Sequence, residues 1–428
     1  MSSSGPSSSA VKAVPARQRH GFLFVLFCLW LLSISFQRYD LVGSYSFDNL
    51  VAPALCLLAV ALPRLRNAAI AHQRQKVLLV LIILYCLFWV SSVLPVLNFG
   101  QIALERGWFG LRDGFYLFAV ALYVRDRWSF KVAKSLLVIV AMMAGVSTLL
   151  AALGWIHLPV ERYEESRLGI AWLQKAVGLL SNYGDVAILY AFTATVLISH
   201  TRNDLALGLG TWMGKLLAWF SLLAGLAGSQ SRNVALAMMV AMGAYWLLRK
   251  LSQSRSAGRM AITGLLTSLG ISVLGVLLVF GGDVINVLGS WGGTNAAQSA
   301  NWRLDTDATA LALIAEHPLT GITGDLYGKW GYLVDALHNT WLRAFLQGGL
   351  LRFAALVGLV WLAARAGLRN LRAERNTSRD AALVVATVVA LLVATQFYGG
   401  QSEIMWMTLG MLVSFNWVSR DATQGKAR

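Results

Sequence analysis

Charged side chains are what this 428-residue sequence has least of: Asp, Glu, Lys and Arg make up 13% of it, against 57% apolar residues. A soluble domain carries about 25% charged residues. The deficit excludes a soluble globular chain and points to a polytopic membrane protein, as do the sixteen tryptophans. Cysteine is nearly absent too. Cys28, Cys56 and Cys86 all fall inside apolar segments, which excludes a disulfide framework and a cysteine-held metal cluster and leaves small hydrophobes. Acidic residues are outnumbered 36 to 20, giving a net charge of +16. The basic residues are spread between apolar spans in a pattern that follows topology, which speaks against a nucleic-acid partner. No cleavage pattern follows the first apolar run, so that run is expected to stay as an anchor. Residues 1–20, Ser-rich with Lys12, Arg17 and Arg19, read as a disordered cytoplasmic tail. No soluble repeat or heptad pattern stands out.

What is present is a series of apolar segments of helix-spanning length, beginning near Gly21, Tyr45, Lys76, Trp108, Val132, Ala176, Leu216, Val234, Ala261, Asn339, Ala381 and Ile404. The predicted fold is therefore all-α with twelve transmembrane helices. Residues 21–281 hold spans 1–9, residues 282–338 form a periplasmic loop with helices, residues 339–418 hold spans 10–12, and residues 419–428 are a second cytoplasmic tail. With both termini cytoplasmic, alternate loops carry Arg64, Arg66 and Arg74, then Arg125, Arg127 and Lys131, then Arg249, Lys250 and Arg255, then Arg369, Arg372 and Arg379. That distribution obeys the positive-inside rule. The opposite loops are acidic, with Glu105, Glu161, Glu164, Glu165, Asp305, Asp307 and Asp335 among them.

The stretch DALHNTWLRAFLQGGLLR, from Asp335 to Arg352, concentrates the chemistry. Asp335 or Asn339 can cap the helix that follows, which places His338 at or just before its first turn. The positive end of the helix dipole favours a neutral imidazole there and attracts anions such as phosphate. Arg343 follows about one and a half turns later, and Arg352 lies roughly 20 Å below the helix start. An arginine at that depth is expensive unless paired. Ahead of this stretch, a flexible GSWGGTNAAQS run leads into NWRLDTDATALALIAEHP, which reads as an amphipathic helix with Trp302, Ala308, Leu311 and Ala315 on one face, ended by Pro318. Glycines 321, 324, 328 and 331 then read as turns. Arg232 sits in a tight outer turn. Asp185 is expected about 14 Å into the sixth span, where it could meet Arg352. Arg112 and Asp113 are expected just inside the outer end of the fourth span, able to pair with each other or with substrate.

Three features occur in order: SRNVALAM after a span, NWRLDTDATALALIAEHPLTGITG, and ALHNTWLRAFLQGGLL opening the next span but one. Over residues 229–352 this resembles the O-antigen ligase and O-antigen polymerase superfamily. In that superfamily an SR pair, an arginine ahead of an H-P-x-x-G pattern, and an H-N-x-x-L motif line an outward-facing site. The resemblance implies a GT-C-like glycosyltransferase of a Gram-negative inner membrane, moving a glycan from undecaprenyl-diphosphate to lipid A–core on the periplasmic side, with no metal and no cofactor. His338 would then deprotonate the acceptor hydroxyl, and Arg232 and Arg303 would bind the diphosphate bidentately. Arg343, Arg352, Asp185 and Arg112 are further substrate or structural candidates.

Plainer readings stand beside each of these. His338 could simply cap a helix, Arg232 could reach outer headgroups, and Arg303 could pair with Asp307, its i+4 neighbour. Asp305 and Asp307 form a D-x-D, but positions i and i+2 of a helix point about 200° apart and do not chelate. A polymerase would use the same bond chemistry with a second lipid-linked glycan as acceptor. A solute transporter would rest instead on Arg352 and Asp185 near the midplane, and a non-catalytic assembly subunit would need none of these side chains individually.

Overall fold

The computed structural model describes residues 22–34, 40–42, 45–61, 72–97, 100–157, 174–180, 182–199, 204–253, 294–396 and 402–424. Helices dominate it: α1 (Phe22–Ser33), α2 (Phe47–Ala61), α3 (His72–Val93), α4 (Gly100–Tyr123), α5 (Arg127–Ala152), α6 (Tyr183–Ser199), α7 (Trp212–Ser229) and α8 (Arg232–Gln253). A small module of α9 (Thr294–Glu316) and α10 (Gly324–Ala336) follows, and then α11 (Thr340–Asn370), α12 (Arg375–Gln396) and α13 (Glu403–Gln424). Before α2, strands β1 (Asp40–Val42) and β2 (Tyr45–Ser46) pair antiparallel. The predicted ninth span, near Ala261, lies outside the described residues, as do the tail 1–20 and loop residues 282–293. Each of the other predicted segments coincides with a helix, and the last of them runs past its expected end at residue 418 to Gln424.

Among the described residues, five helices are long and apolar enough to cross a membrane: Arg74–Val96, Arg127–Ala152, Arg232–Ser252, Thr340–Asn370 and Asn376–Gln396. Exposed apolar side chains give α3 (Leu79, Ile82, Ile83), α7 (Leu216, Phe220, Leu223) and α11 (Leu350, Val357, Trp361) an oily outer face. That is the inverse of a water-facing helix. At the centre stand α6 and α13, buried almost all round from Val186 to Leu197 and from Ile404 to Phe415. Small residues let the surrounding helices close in. A β-carbon on Gly145 of α5 would come within 2.0 Å of the Ser221 carbonyl of α7, and one on Gly225 of α7 within 2.0 Å of the Tyr190 hydroxyl of α6.

The α9–α10 module has its own apolar core, with Ala310, Leu313, Leu333, Val334 and Leu337 packed on Leu346 of α11. Three expectations fail here. TNAAQS belongs to α9 and is helical. The face of α9 that packs inward carries Thr306, Ala310 and Leu313, while Trp302, Ala308, Leu311 and Ala315 are exposed. The run ALALIA is apolar nearly all round, so its pattern does not choose a face. Glycines 324, 328 and 331 do not form turns either, because they lie inside α10. Leu326, Trp330, Leu333, Val334 and Leu337 recur at helical spacing, and burying that stripe outweighs a propensity cost of about 1 kcal/mol per glycine.

The module locks onto α11 through a break. Gly348 and Gly349 have non-helical backbone angles, with Gly349 at φ 63°. In a regular helix the Leu350 N–H would donate to the Leu346 carbonyl. Here the turn after α9 takes both partners: Leu350 N donates to the Pro318 carbonyl at 2.8 Å, and the Leu346 carbonyl accepts from Ile322 N at 2.8 Å. The backbone groups freed by the break are thus satisfied. A β-carbon on Gly349 would lie 2.0 Å from the Leu319 carbonyl oxygen. Gly349→Ala therefore meets a collision as well as backbone angles, φ 63° and ψ −160°, that are essentially glycine-only and cost an alanine about 1–3 kcal/mol. A clear fall in melting temperature is expected. Gly243→Ala, which meets open space inside α8, should leave melting unchanged or raise it slightly, and equal melting of the two variants would contradict this docking.

Candidate active site

The helices alternate in direction, so one end of the bundle gathers the start of α11, the end of α12 and the turn between α7 and α8. Asn339 is the N-cap of α11, with its side-chain oxygen accepting from Trp341 N at 3.0 Å and Leu342 N at 3.2 Å. Its amide donates to Gln396 Oε1 at 3.0 Å, and Trp341 Nε1 donates to Thr395 Oγ1 at 3.0 Å. The start of α11 is thereby fixed to the end of α12, and His338 is held one residue outside the cap. Of the two caps expected, Asn339 serves.

His338 is half-buried, and the Trp302 ring of α9 meets it edge-on at a centroid distance of 5.9 Å. Burial, with the guanidinium groups of Arg303 and Arg343 adding to it, pushes the imidazole down to about 4. It is therefore neutral at pH 7 and able to accept a hydrogen bond or a proton. The helix dipole argument reaches the same protonation state, but two cations delivered by different elements contribute to it. On the far side of Arg303, burial lifts the Asp307 carboxyl to about 6 against the pull of that arginine. Asp305 is exposed on the same unbroken helix while Asp307 is half-buried. The two carboxylates face different surroundings, as helical spacing requires.

Beyond Arg343 the positive charge continues inward. Arg352, only 6% exposed, stacks its guanidinium 4.2 Å from the Phe88 ring of α3. The groups acting on it electrostatically include Arg106, Arg343, Tyr85 and Asp113. Arg106 of α4 donates to the Ser92 carbonyl at 3.1 Å and the Gln347 carbonyl at 3.4 Å, so it bridges the end of α3 and the break in α11. Arg303, His338, Arg343, Arg352 and Arg106 form one electrostatically linked series, with Asp307 beside one end and Asp113 near the other. Such a site suits a polyanion.

Other candidates separate from this series. Arg232 opens α8 just after a left-handed Gln230, as the tight turn required, and its side chain is exposed. It is not among the groups acting on His338, which are Arg303 and Arg343. Asp185 lies in the first turn of α6, not mid-span, because α6 begins at Tyr183. Its N–H donates to Asn182 Oδ1 at 2.8 Å, and Asn182 Nδ2 donates back to its carboxylate at 2.7 Å, a reciprocal helix cap. Arg112 is near the middle of α4, which begins at Gly100, and binds Glu403 at 2.9 Å and Asp113 at 3.2 Å. It ties α4 to α13.

Sequence reasoning missed Arg106 and the inward contact of Trp302 with His338. The LERGW context of Arg106 offered one signal, a basic residue on the side where acidic residues prevail. No protein-family model and no curated protein matches the chain.

Proposed function

We propose that this protein is a metal-independent, inverting glycosyltransferase of the O-antigen ligase type. It would move a glycan from an undecaprenyl-diphosphate carrier to lipid A–core at the periplasmic face of a Gram-negative inner membrane. The proposed arrangement keeps the twelve spans and cytoplasmic termini expected from the sequence, and five helices among the described residues that are long and apolar enough to cross a membrane support it. The observation that carries the reading is a half-buried, neutral histidine packed on Trp302, on which Arg303 and Arg343 both act and to which Arg352 and Arg106 are linked through Arg343. Guanidinium forks match diphosphate oxygens and stabilise the charge that builds as the carrier leaves. Neutral imidazole takes the proton of the attacking hydroxyl.

An imidazole held at about 4 is a weak base in the empty site. Burial, the larger cause, would remain, but a diphosphate seated on Arg303 and Arg343 would cancel the part of the depression those cations add and so raise the imidazole. Donor binding would thus strengthen the base. Because Arg343 acts on His338 together with Arg303 and Arg232 does not, we extend the diphosphate ligands to Arg343 and give exposed Arg232 the departing carrier.

Transfer is expected to continue unchanged in excess chelator, since Asp305 and Asp307 point apart on α9. Loss of transfer that a divalent ion restores would overturn the metal-independent mechanism. Supplying donor with and without lipid A–core tests the acceptor. Lengthened lipid-linked chains in place of a lipid A product would make the enzyme a polymerase.

A further inference from the structure

At the end of the bundle opposite His338, a cavity of about 300 Å³ opens where α5 and α12 begin. Four cations line it, Arg127, Lys131, Lys134 and Arg379, against two carboxylates, Asp204 and Asp380. Two ion pairs build its walls. Lys134 Nζ lies 2.6 Å from Asp380 and joins α5 to α12, and Arg379 lies 3.2 Å from Asp204 and joins α12 to the segment before α7. Lys134 is 2% exposed and Asp380 9%, so these charges are buried parts of the wall. Arg127 and Lys131, one helical turn apart on α5, add two further positive charges to the lining. The amino termini of α5 and α12 both fall here, and their dipoles favour an anion in the same space.

The aromatic side of the cavity indicates where that anion comes from. Trp128 lines it while remaining 44% exposed, and its ring packs on Phe24 of α1 at a centroid distance of 5.1 Å. A half-exposed tryptophan at the end of a helix apolar enough to cross a membrane marks the headgroup level. We infer that this cavity binds the phosphate of an anionic glycerophospholipid from the adjoining leaflet, with the phosphate against Arg127 and Lys131 and the glycerol end beside Trp128. Basic pockets between membrane helices hold anionic headgroups on the same physical grounds. The lipid would brace α5, α12 and α1 at the end away from the arginine series, and this site does not depend on the glycosyltransferase reading.

The test uses the full-length protein purified in detergent and titrated separately with phosphatidylglycerol, phosphatidylcholine and inorganic phosphate. Bound lipid is counted by native mass spectrometry and melting is followed in parallel. Phosphatidylglycerol is expected to be retained in clear preference to phosphatidylcholine. Arg127→Gln with Lys131→Gln should weaken its retention about fivefold for each cation removed. The charge-preserving pair Arg127→Lys with Lys131→Arg should retain it, which separates lost charge from lost fold. Equal retention of the two lipids, or undiminished phosphatidylglycerol binding in the Gln pair, would overturn the site. A melting shift from inorganic phosphate as large as that from phosphatidylglycerol would assign the cavity to a soluble anion and overturn the lipid.

Discussion

His338→Ala is expected to lower glycan transfer by about 10²–10⁴-fold, the usual contribution of a positioned base, with little change in melting temperature. The small structural effect follows from how α11 is held. Asn339 supplies the cap and the bond to Gln396, and Trp341 supplies the bond to Thr395. What alanine removes is the edge contact with Trp302 and the imidazole proposed as the base, on which Arg303 and Arg343 both act. If the histidine were merely part of the helix start, transfer and melting would fall together. His338→Gln, which retains polar groups but cannot take a full proton, should be nearly as inactive as the alanine variant. Substantial transfer by His338→Gln would turn the residue from a base into an orienting group.

The second large effect is at Arg303. Arg303→Gln should cost about 10²–10³-fold in transfer, the scale of losing one preorganised donor to a developing anion. Arg303→Lys should recover only part of that, because a point charge does not reproduce a bidentate fork. The pH profile supplies a readout that a structural role would not move. Imidazole at about 4 places the acid limb of kcat/KM near pH 4, since that parameter reports the free enzyme. Removing the Arg303 cation takes away one cause of the depression, so the limb should rise toward the ordinary histidine value of about 6.5. In the unaltered enzyme the limb of kcat should already lie above that of kcat/KM, because bound diphosphate screens both arginines. A limb that stays fixed in Arg303→Gln would contradict the electrostatic link between these groups.

Stability carries the same sign. A histidine whose folded value lies below its unfolded value resists protonation in the native state. As pH falls from about 6.5 to about 4, the unfolded chain gains a proton that the folded site refuses. The part of stability linked to His338 is complete above that window and declines through it. His338→Ala should flatten this part of the melting profile.

The helices were legible in the sequence because long apolar runs can bury their backbone polar groups in lipid only as helices. The His338 stretch was legible because a histidine beside an Asn cap is a local pattern. What escaped was everything set by packing at a distance. Asp185 was placed mid-span because apolar residues from Ala176 onward look continuous, yet α6 starts only where Asn182 can cap it. Trp302 was expected on the packed face of α9 and is exposed, although its edge still reaches His338. The helix break at Gly348 and Gly349 was invisible, because two glycines in an apolar run do not reveal that the turn after α9, at Pro318 and Ile322, will claim the hydrogen-bonding groups of Leu346 and Leu350. Arg106 escaped for the same reason, since the backbone carbonyls of Ser92 and Gln347 that it bonds lie in α3 and α11, and only its place among outer acidic residues marked it.

The most direct test of the central claim is a transfer assay on purified protein in lipid, supplied with a diphosphate-linked glycan donor and lipid A–core, with His338→Ala run beside the unaltered chain. The account predicts glycan on lipid A–core, inverted at the anomeric carbon, from the unaltered protein alone. Equal transfer by the two proteins, or none from a verified donor to any acceptor by either, would contradict it.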